Sequence, residues 1–511
     1  MLVIIRTDAS STIGSGHVMR CLTLAHCLRS RGADVVFAMR SLSGDLGDRV
    51  RGNGFPVLEL AKHLKDAEID EEADADIFLA AIEDASGVVS AAGGRADWVI
   101  VDHYQLGKAW EEKARLAASR LLAIDDLANR AHDADVLLDQ NLVKDYERRY
   151  SKLVPDNCLS LLGPEYALLS GQYRQVRETL ASRSGAIRKI LVYFGGADRS
   201  MASMTVDALS RVPGEFAVLV VLDAANPQAE HLRANTAADT RISISGQLPD
   251  LANVMADADL FIGASGTTSW ERLCLGLKAV VVTMADNQEP LAQELDRLGF
   301  IDWIGRSGSI TPEILAKTLQ QVVTTPVDGA VTARMMSTVD GLGAERVADV
   351  LSFRGGEGLV LRKAQSGDID LVLSWANDPE TRRHAFNTRP ISRDEHSVWF
   401  ERRINSPEVK FFIAETPNGI PAGQVRFERQ ADNAWEISYL IAPVFRGRGL
   451  ARPMLDTAIR TLFEGAEIKV VSGYVKPENA ASVRVFEGLG FHCVAEQETV
   501  AARRYELVRP I

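Results

Sequence analysis

Leu2-Val3-Ile4-Ile5, continued by Arg6-Thr7-Asp8-Ala9-Ser10-Ser11-Thr12-Ile13-Gly14-Ser15-Gly16-His17-Val18-Met19-Arg20, decides the fold. The apolar run has the character of a buried parallel strand. The chain then turns and becomes helical. Val18, Cys21, Leu22, Ala25 and Leu28 recur at the spacing of one apolar helix face, and Gly32 supplies the stop. His17 therefore lies in the first helical turn, at the carboxyl end of a strand, beside Gly14 and Gly16, which let a ligand approach the backbone. The positive end of a helix disfavours an imidazolium and favours an anion such as a phosphate. A neutral imidazole there can serve as a base near neutral pH. Taken alone, the Gly-x-Gly turn is equally well a tight turn with a capping histidine.

The pattern Arg-x-Asp, then Ile-Gly-x-Gly-His-x-x-Arg-Cys-Leu-x-Leu-Ala, resembles the amino-terminal signature of the UDP-sugar hydrolases of pseudaminic acid biosynthesis. These are relatives of the GT-B glycosyltransferases. The resemblance implies that His17 activates water, that Asp8 aligns His17 or a sugar hydroxyl, and that Gly14, Gly16 and Arg20 belong to the substrate site.

Composition sets the bounds. A chain of 511 residues, at roughly 150 residues per domain, suggests about three domains. No apolar run reaches the ~18 residues of a membrane span, and the start reads as a first strand, not a signal peptide. Cys21, Cys27, Cys158, Cys274 and Cys493 are scattered without zinc or disulfide spacing, so no metal is expected and a reducing cytoplasm fits. The net charge of −12 argues against nucleic acid as a partner. From Arg354 onward there are 22 Lys/Arg against 21 Asp/Glu, and before it 35 against 48, which marks a compositional break.

Up to about residue 155, strand candidates Val35–Phe37, Trp98–Val101, Leu121–Ile124 and Val136–Leu138 alternate with helical segments. Polar residues gather where they end: Asp102-His103-Tyr104, Asp125-Asp126 and Asp139-Gln140-Asn141. In a doubly wound sheet these ends share a rim with His17, and His103 and Tyr104 are candidate sugar contacts or solvated loop residues. A second unit, 156–353, opens with Ile190-Leu191-Val192-Tyr193-Phe194-Gly195-Gly196, whose glycines are candidate substrate contacts, and continues through Ala217–Val221, Ile242–Ile244, Leu260–Ile262 and Ala279–Val282. The segment Gly263-Ala264-Ser265-Gly266-Thr267-Thr268-Ser269-Trp270-Glu271 sets a small-residue loop after a strand. Its amides can meet a diphosphate, and Glu271 can accept from ribose hydroxyls. This arrangement resembles the nucleotide half of GT-B enzymes that use UDP-N-acetylglucosamine. In the hydrolase family the pair matching Asn287-Gln288 faces the sugar nucleotide.

Asp340–Leu351 reads as a closing helix and Arg354–Gly358 as a short flexible joint. From 357 to 511 the pattern changes to α+β. Strand candidates are Leu359–Arg362, Phe411–Ala414, Gly423–Phe427 and Trp435–Ile441, with helices over Ile369–Ala376 and Arg393–Ile404. Arg446-Gly447-Arg448-Gly449-Leu450-Ala451 then opens a helix over Met454–Phe463. A strand, an Arg/Gly turn and a helix place consecutive amides around a pyrophosphate. With Asn479-Ala480-Ala481-Ser482-Val483-Arg484-Val485-Phe486-Glu487-Gly488-Leu489-Gly490-Phe491, the segment resembles the GNAT acetyltransferases, which bind acetyl-CoA as donor across these two motifs. Asn479 and Ser482 join the cofactor set on that resemblance. Many of those enzymes carry a tyrosine where Phe486 stands, so no general acid is assigned; Glu436 is a candidate base or an ordinary strand residue.

The expectation is two Rossmann-like domains in a GT-B arrangement followed by a GNAT domain. The resemblances imply inverting hydrolysis of UDP-2,4-diacetamido-2,4,6-trideoxy-beta-L-altropyranose to free sugar and UDP, without a metal. They also imply acetylation of the preceding UDP-4-amino sugar. A glycosyltransferase that passes the sugar to an acceptor, and a nucleotide-sugar sensor with a protein-acetylating domain, stay open.

Overall fold

The computed structural model describes all residues except 11, 62–68, 86–94, 182, 196–199, 223–228, 238, 247, 249, 432–433, 465–467, 498–501 and 510–511. The described chain gathers into two compact units, Met1–Val347 and Ala348–Ile511.

The first unit holds two parallel sheets. Strands β1 (Leu2–Thr7), β2 (Asp34–Arg40), β3 (Val57–Leu60), β4 (Ala96–Asp102), β5 (Ala118–Ile124), β6 (Val136–Asp139) and β7 (Leu159–Leu162) make one. Their order is β3-β2-β1-β4-β5-β6-β7. All six residues of β1 are buried, as a central strand covered on both faces must be. The register pairs Thr7 with Asp102, which brings the ends of β1 and β4 to one rim.

The second sheet comprises β8 (Lys189–Tyr193), β9 (Ala217–Val221), β10 (Ile242–Ser245), β11 (Leu260–Ala264), β12 (Ala279–Thr283) and β13 (Ile301–Arg306). Its order is β10-β9-β8-β11-β12-β13. Alternation along the strands builds two cores. Leu191, Phe261, Ala279 and Val281 serve one face, and Ile190, Val192, Leu260, Ile262, Val280 and Val282 the other. The two Rossmann-like domains within one compact unit form the GT-B arrangement.

The second unit contains a mixed sheet of β14 (Val360–Lys363), β15 (Val409–Glu415), β16 (Pro421–Arg429), β17 (Ala434–Ile441), β18 (Val470–Val475), β19 (His492–Gln497) and β20 (Ala502–Val508). The order is β14-β15-β16-β17-β18-β20-β19. Helix Ala451–Glu464 lays Met454, Leu455, Ala458, Ile459 and Leu462 on Val425, Phe427, Ile437 and Val471. Every pairing is antiparallel except β17 with β18, which are parallel and joined over only Ala434, Trp435 and Glu436. Beyond Glu436 the two strands part, and this gap becomes the site below.

Three boundaries differ from expectation. The first sheet reaches Leu162, past residue 155, because β7 pairs with β6; Ala167 and Tyr173 already belong to the core of the second sheet. The closing helix, Gly343–Ser352, spans the division between the units. In the second unit, Asp349 accepts from Asn418 Nδ2 at 3.0 Å and the Val350 carbonyl from Arg448 Nη1 at 2.7 Å. The segment expected to be a flexible joint is folded against this unit. The Gly355 amide donates to the Arg448 carbonyl at 2.9 Å, and Gly356 adopts φ +74° against Pro453.

Candidate active sites

Asp8 leaves β1, the loop turns at Gly14 with φ +85°, and helix Gly16–Ser30 begins, with His17 in its first turn and Arg20 one turn later. His17 Nδ1 meets Asp102 Oδ1 at 2.6 Å. Arg20 grips the same carboxylate through Nη2 on Oδ1 and Nε on Oδ2, both at 2.6 Å. Arg20 Nη2 also lies 3.2 Å from His17 Nδ1, a spacing that follows from two donors sharing one oxygen. Facing a carboxylate, Nδ1 carries a proton, and Nε2 is the ring nitrogen turned away from Asp102. Burial raises the Asp102 carboxyl, but Arg20 and then His17 outweigh it and hold the group well below the usual range.

His17 is 5% exposed, and Tyr104 packs edge-on against it, ring centres 4.4 Å apart. The Tyr104 hydroxyl accepts from Asn287 Nδ2 of the second domain at 3.3 Å. Next to this contact, a side chain on Gly16 would stand 3.6 Å from the Thr267 methyl. Gly16, His17, Arg20, Tyr104, Thr267 and Asn287 thus converge where the two Rossmann-like domains meet.

Asp8 does not align His17. Its carboxylate is bound by the Arg40 backbone amide at 2.8 Å, by Arg40 Nε at 2.7 Å and by Arg6 Nη1 at 2.7 Å. Burial raises Asp8, while Arg6, His103 and Arg40 bring it well below its ordinary value. The role expected of Asp8 falls to Asp102, the last residue of β4. His103 sits 3.6 Å from Asp8; burial, and then repulsion from Arg6, push its imidazole down to about 3.

In the second domain β11 delivers Ser265, Gly266 and Thr267 to the start of helix Thr268–Cys274. The space beside Gly266 is open. Glu271 Oε2 is buried without a hydrogen-bond partner, and burial pushes this carboxyl up to about 7 against the pull of Tyr173 and Arg272. An orphaned acceptor beside an open glycine loop suits hydroxyl donors of a ligand. Gly195 follows β8 with φ +79° and open space at its Cβ position; Gly196 lies outside the described residues. Gln288 departs from expectation: its Oε1 accepts from the Met284 amide at 2.8 Å and so closes its own turn, leaving Asn287 to reach Tyr104.

The second unit has its own cavity of about 950 Å³, opened where β17 and β18 part. Arg446, Gly447, Gly449, Leu450, Ala451, Asn479 and Ser482 all line it. Gly447 and Gly449 have φ +73° and +77°, a conformation that turns successive amides toward one point. Nothing lies within 4 Å of the Gly447 Cβ position. The arginines are placed otherwise than expected. Arg446 is held by Asp378 at 2.6 Å and donates to Thr381 Oγ1 at 2.7 Å, while Arg448 is outside the lining, donating to the Val350 carbonyl and stacked over Phe445. The cradle is built mainly of backbone, as a pyrophosphate site at a helix start can be.

Asn479 caps helix Ala480–Gly488 by accepting from the Ser482 amide at 3.1 Å. The Tyr439 hydroxyl donates to Ser482 Oγ at 2.9 Å. Glu436 lies where the strands part, and burial, then Glu428, raise its carboxyl. Phe486 is 2% exposed and packed on Phe491, 4.6 Å between ring centres. Among the described residues, no group of three or more His, Cys, Asp or Glu is placed to hold a metal, and no helix is long and apolar enough to cross a membrane.

These features define two classes of protein in one chain: a GT-B-type architecture of paired Rossmann-like domains and an acyltransferase that takes acetyl-CoA as donor. Residues 358–492 match the acetyltransferase (GNAT) domain family, and the chain belongs to that family through this domain. A protein of Bacillus subtilis described as the SPbeta prophage-derived uncharacterized N-acetyltransferase YokL is 30% identical over 138 residues, 27% of this chain and 77% of the relative. The UDP-2,4-diacetamido-2,4,6-trideoxy-beta-L-altropyranose hydrolase of Campylobacter jejuni is 25% identical over 305 residues, 59% of this chain and 98% of the relative. The uncharacterized protein MJ1062 of Methanocaldococcus jannaschii is 22% identical over 509 residues, 96% of both chains. The chain is thus a homologue of the pseudaminic acid pathway hydrolase fused to a GNAT acetyltransferase.

Proposed function

We propose that the first unit hydrolyses UDP-2,4-diacetamido-2,4,6-trideoxy-beta-L-altropyranose, or a close stereoisomer, to the free sugar and UDP. The observation that carries this reading is the His17–Asp102–Arg20 constellation beside a second-domain loop suited to a nucleotide. Nε2 of His17 accepts a proton from water as its oxygen attacks C1 of the sugar. The C1–oxygen bond to the diphosphate breaks on the opposite face, and UDP departs with the electron pair, inverting the anomeric centre. Asp102 keeps the ring in the right tautomer and balances the transient imidazolium. UDP is a good leaving group, so loop amides and Glu271 need only hold it; a strong general acid is less necessary than in ordinary glycoside hydrolysis.

His17→Asn preserves a side chain near Asp102 but removes the base. It should lower turnover at least 100-fold while UDP affinity stays within about twofold. Near-normal release of free sugar, followed by mass and NMR analysis, would sink the assignment.

The GNAT unit, on the same reading, acts one step earlier. It transfers acetyl from acetyl-CoA to the 4-amino group of a UDP-amino sugar. The amine nitrogen attacks the thioester carbonyl and forms the amide bond, the carbon–sulfur bond breaks with its electron pair leaving on the CoA thiolate, Glu436 takes the amine's proton directly or through water, and the thiolate takes a proton from water. Incubating the chain with acetyl-CoA and the UDP-4-amino sugar tests both steps in one mixture.

A further inference from the structure

The carboxylates at the rim of the first sheet are not alike. Asp125 accepts from Arg130 at 2.7 Å on Oδ1 and from the Tyr150 hydroxyl at 2.9 Å on Oδ2. Asp139 accepts from the Asn141 amide at 2.9 Å on Oδ1 and from Arg149 at 2.6 Å on Oδ2. Asp126, which follows β5, is different. Its Oδ2 takes Arg20 Nη1 at 3.2 Å, but its Oδ1 is buried with no hydrogen-bond partner. A carboxylate oxygen withdrawn from solvent without a donor is costly, while the side chain as a whole keeps 16% exposure.

Its position is informative. Arg20 spends Nε and Nη2 on Asp102 and offers Nη1 to Asp126. One guanidinium therefore separates Asp126 from the carboxylate that orients His17. Tyr104, the ring against His17, has its hydroxyl raised by burial first and by Asp126 next, so the same carboxylate is also close to the residue that touches Asn287.

We propose that Asp126 Oδ1 accepts a hydrogen bond from an N–H or O–H group on the sugar ring, and so helps select the sugar. The proposal rests on the sugar-nucleotide reading of this cleft. A carboxylate can face a substrate donor and the Arg20 donor at once, whereas an amide cannot: in Asp126→Asn the oxygen turns to Arg20, and the amide nitrogen then confronts the substrate donor.

Calorimetric titration of the full chain with UDP and with UDP-2,4-diacetamido-2,4,6-trideoxy-beta-L-altropyranose, alongside turnover, tests this. D126N should weaken the sugar nucleotide, or lower its kcat/KM, by about 10- to 100-fold while UDP itself binds within twofold. D126A should lose more, since Arg20 also loses its anchor, and thermal melting of both variants checks that they fold. D126N equal to wild type would reduce Asp126 to an anchor for Arg20 and overturn the proposal. Equal weakening of UDP and the sugar nucleotide, or a wild-type chain that gains no affinity from the sugar, would also overturn it. If wild type binds the sugar nucleotide without hydrolysing it, the hydrolase reading fails, and the binding ratio still decides the role of Asp126.

Discussion

On the proposed function, Glu271 couples pH to nucleotide binding through one buried carboxyl. Its value near 7 lies above that of an ordinary glutamate because burial disfavours the anion. As a carboxylate it accepts two hydroxyl donors; once protonated, it gives up part of that capacity. Affinity for UDP-glucose, whose phosphates do not titrate near neutrality, should therefore fall as pH drops through 7, by about tenfold. Without ligand the sign reverses: a raised acid loses stability as pH climbs from its unfolded value through 7. Glu271→Gln should flatten the binding profile, and an unchanged slope in that variant would show that another group is responsible. The same scale explains what the sequence hid. The placement of His17 and Glu271, each in the first turn of a helix that follows a strand, is legible from local grammar, whereas Arg20, expected in the substrate site, spends Nε and Nη2 on Asp102 and Nη1 on Asp126. The Asp102 role was not legible, because Asp8 and Asp102 both end strands and only the strand order, with Thr7 level with Asp102, decides which one His17 meets. Asp8 instead goes to Arg6, two residues before it, and to Arg40, which no local pattern links to it.

Elements were read unevenly, for physical reasons. The strands that stand out most in the first unit, such as β1 and β12, are apolar runs buried on both faces. Those missed, such as β3 with Glu59 and β7 with Ser160, are short edge strands whose composition carries little signal. In the second unit β18, β19 and β20 were missed as well, since they interleave Gly, Glu and Arg. The Arg/Gly turn after β17 was found, but not that its arginines serve Asp378 and a helix carbonyl. Gly263 in β11 gives this scale its test. A Cβ there would fall 1.9 Å from the Tyr193 carbonyl oxygen and 2.5 Å from the Phe261 ring. Gly263→Ala must force the two neighbouring strands apart just ahead of the Ser265–Thr267 loop. Loss of about 3 kcal/mol is expected, visible as a lower midpoint in urea, and an unchanged midpoint would show that the strands yield freely.

For the whole molecule, the charge break falls at Arg354, whereas contacts put the division after Val347. Asp349, Val350 and Gly355 are bonded within the second unit, and Phe353 stands edge-on to Phe445, 6.5 Å between centres. A fragment beginning at Ala348 should thus be more stable than one beginning at Glu357 by about 2–4 kcal/mol, measured by urea unfolding. Equal midpoints would mean the added residues contribute nothing. In the first unit, the bridge from Tyr104 to Asn287 is neutral, solvent-exposed and 3.3 Å long. Such a bond is worth about 1 kcal/mol at most, little more than thermal energy. A fastening that weak holds the mouth of the cleft without locking it, so that, on the proposed function, spent nucleotide leaves between turnovers without breaking any strong tie at that point.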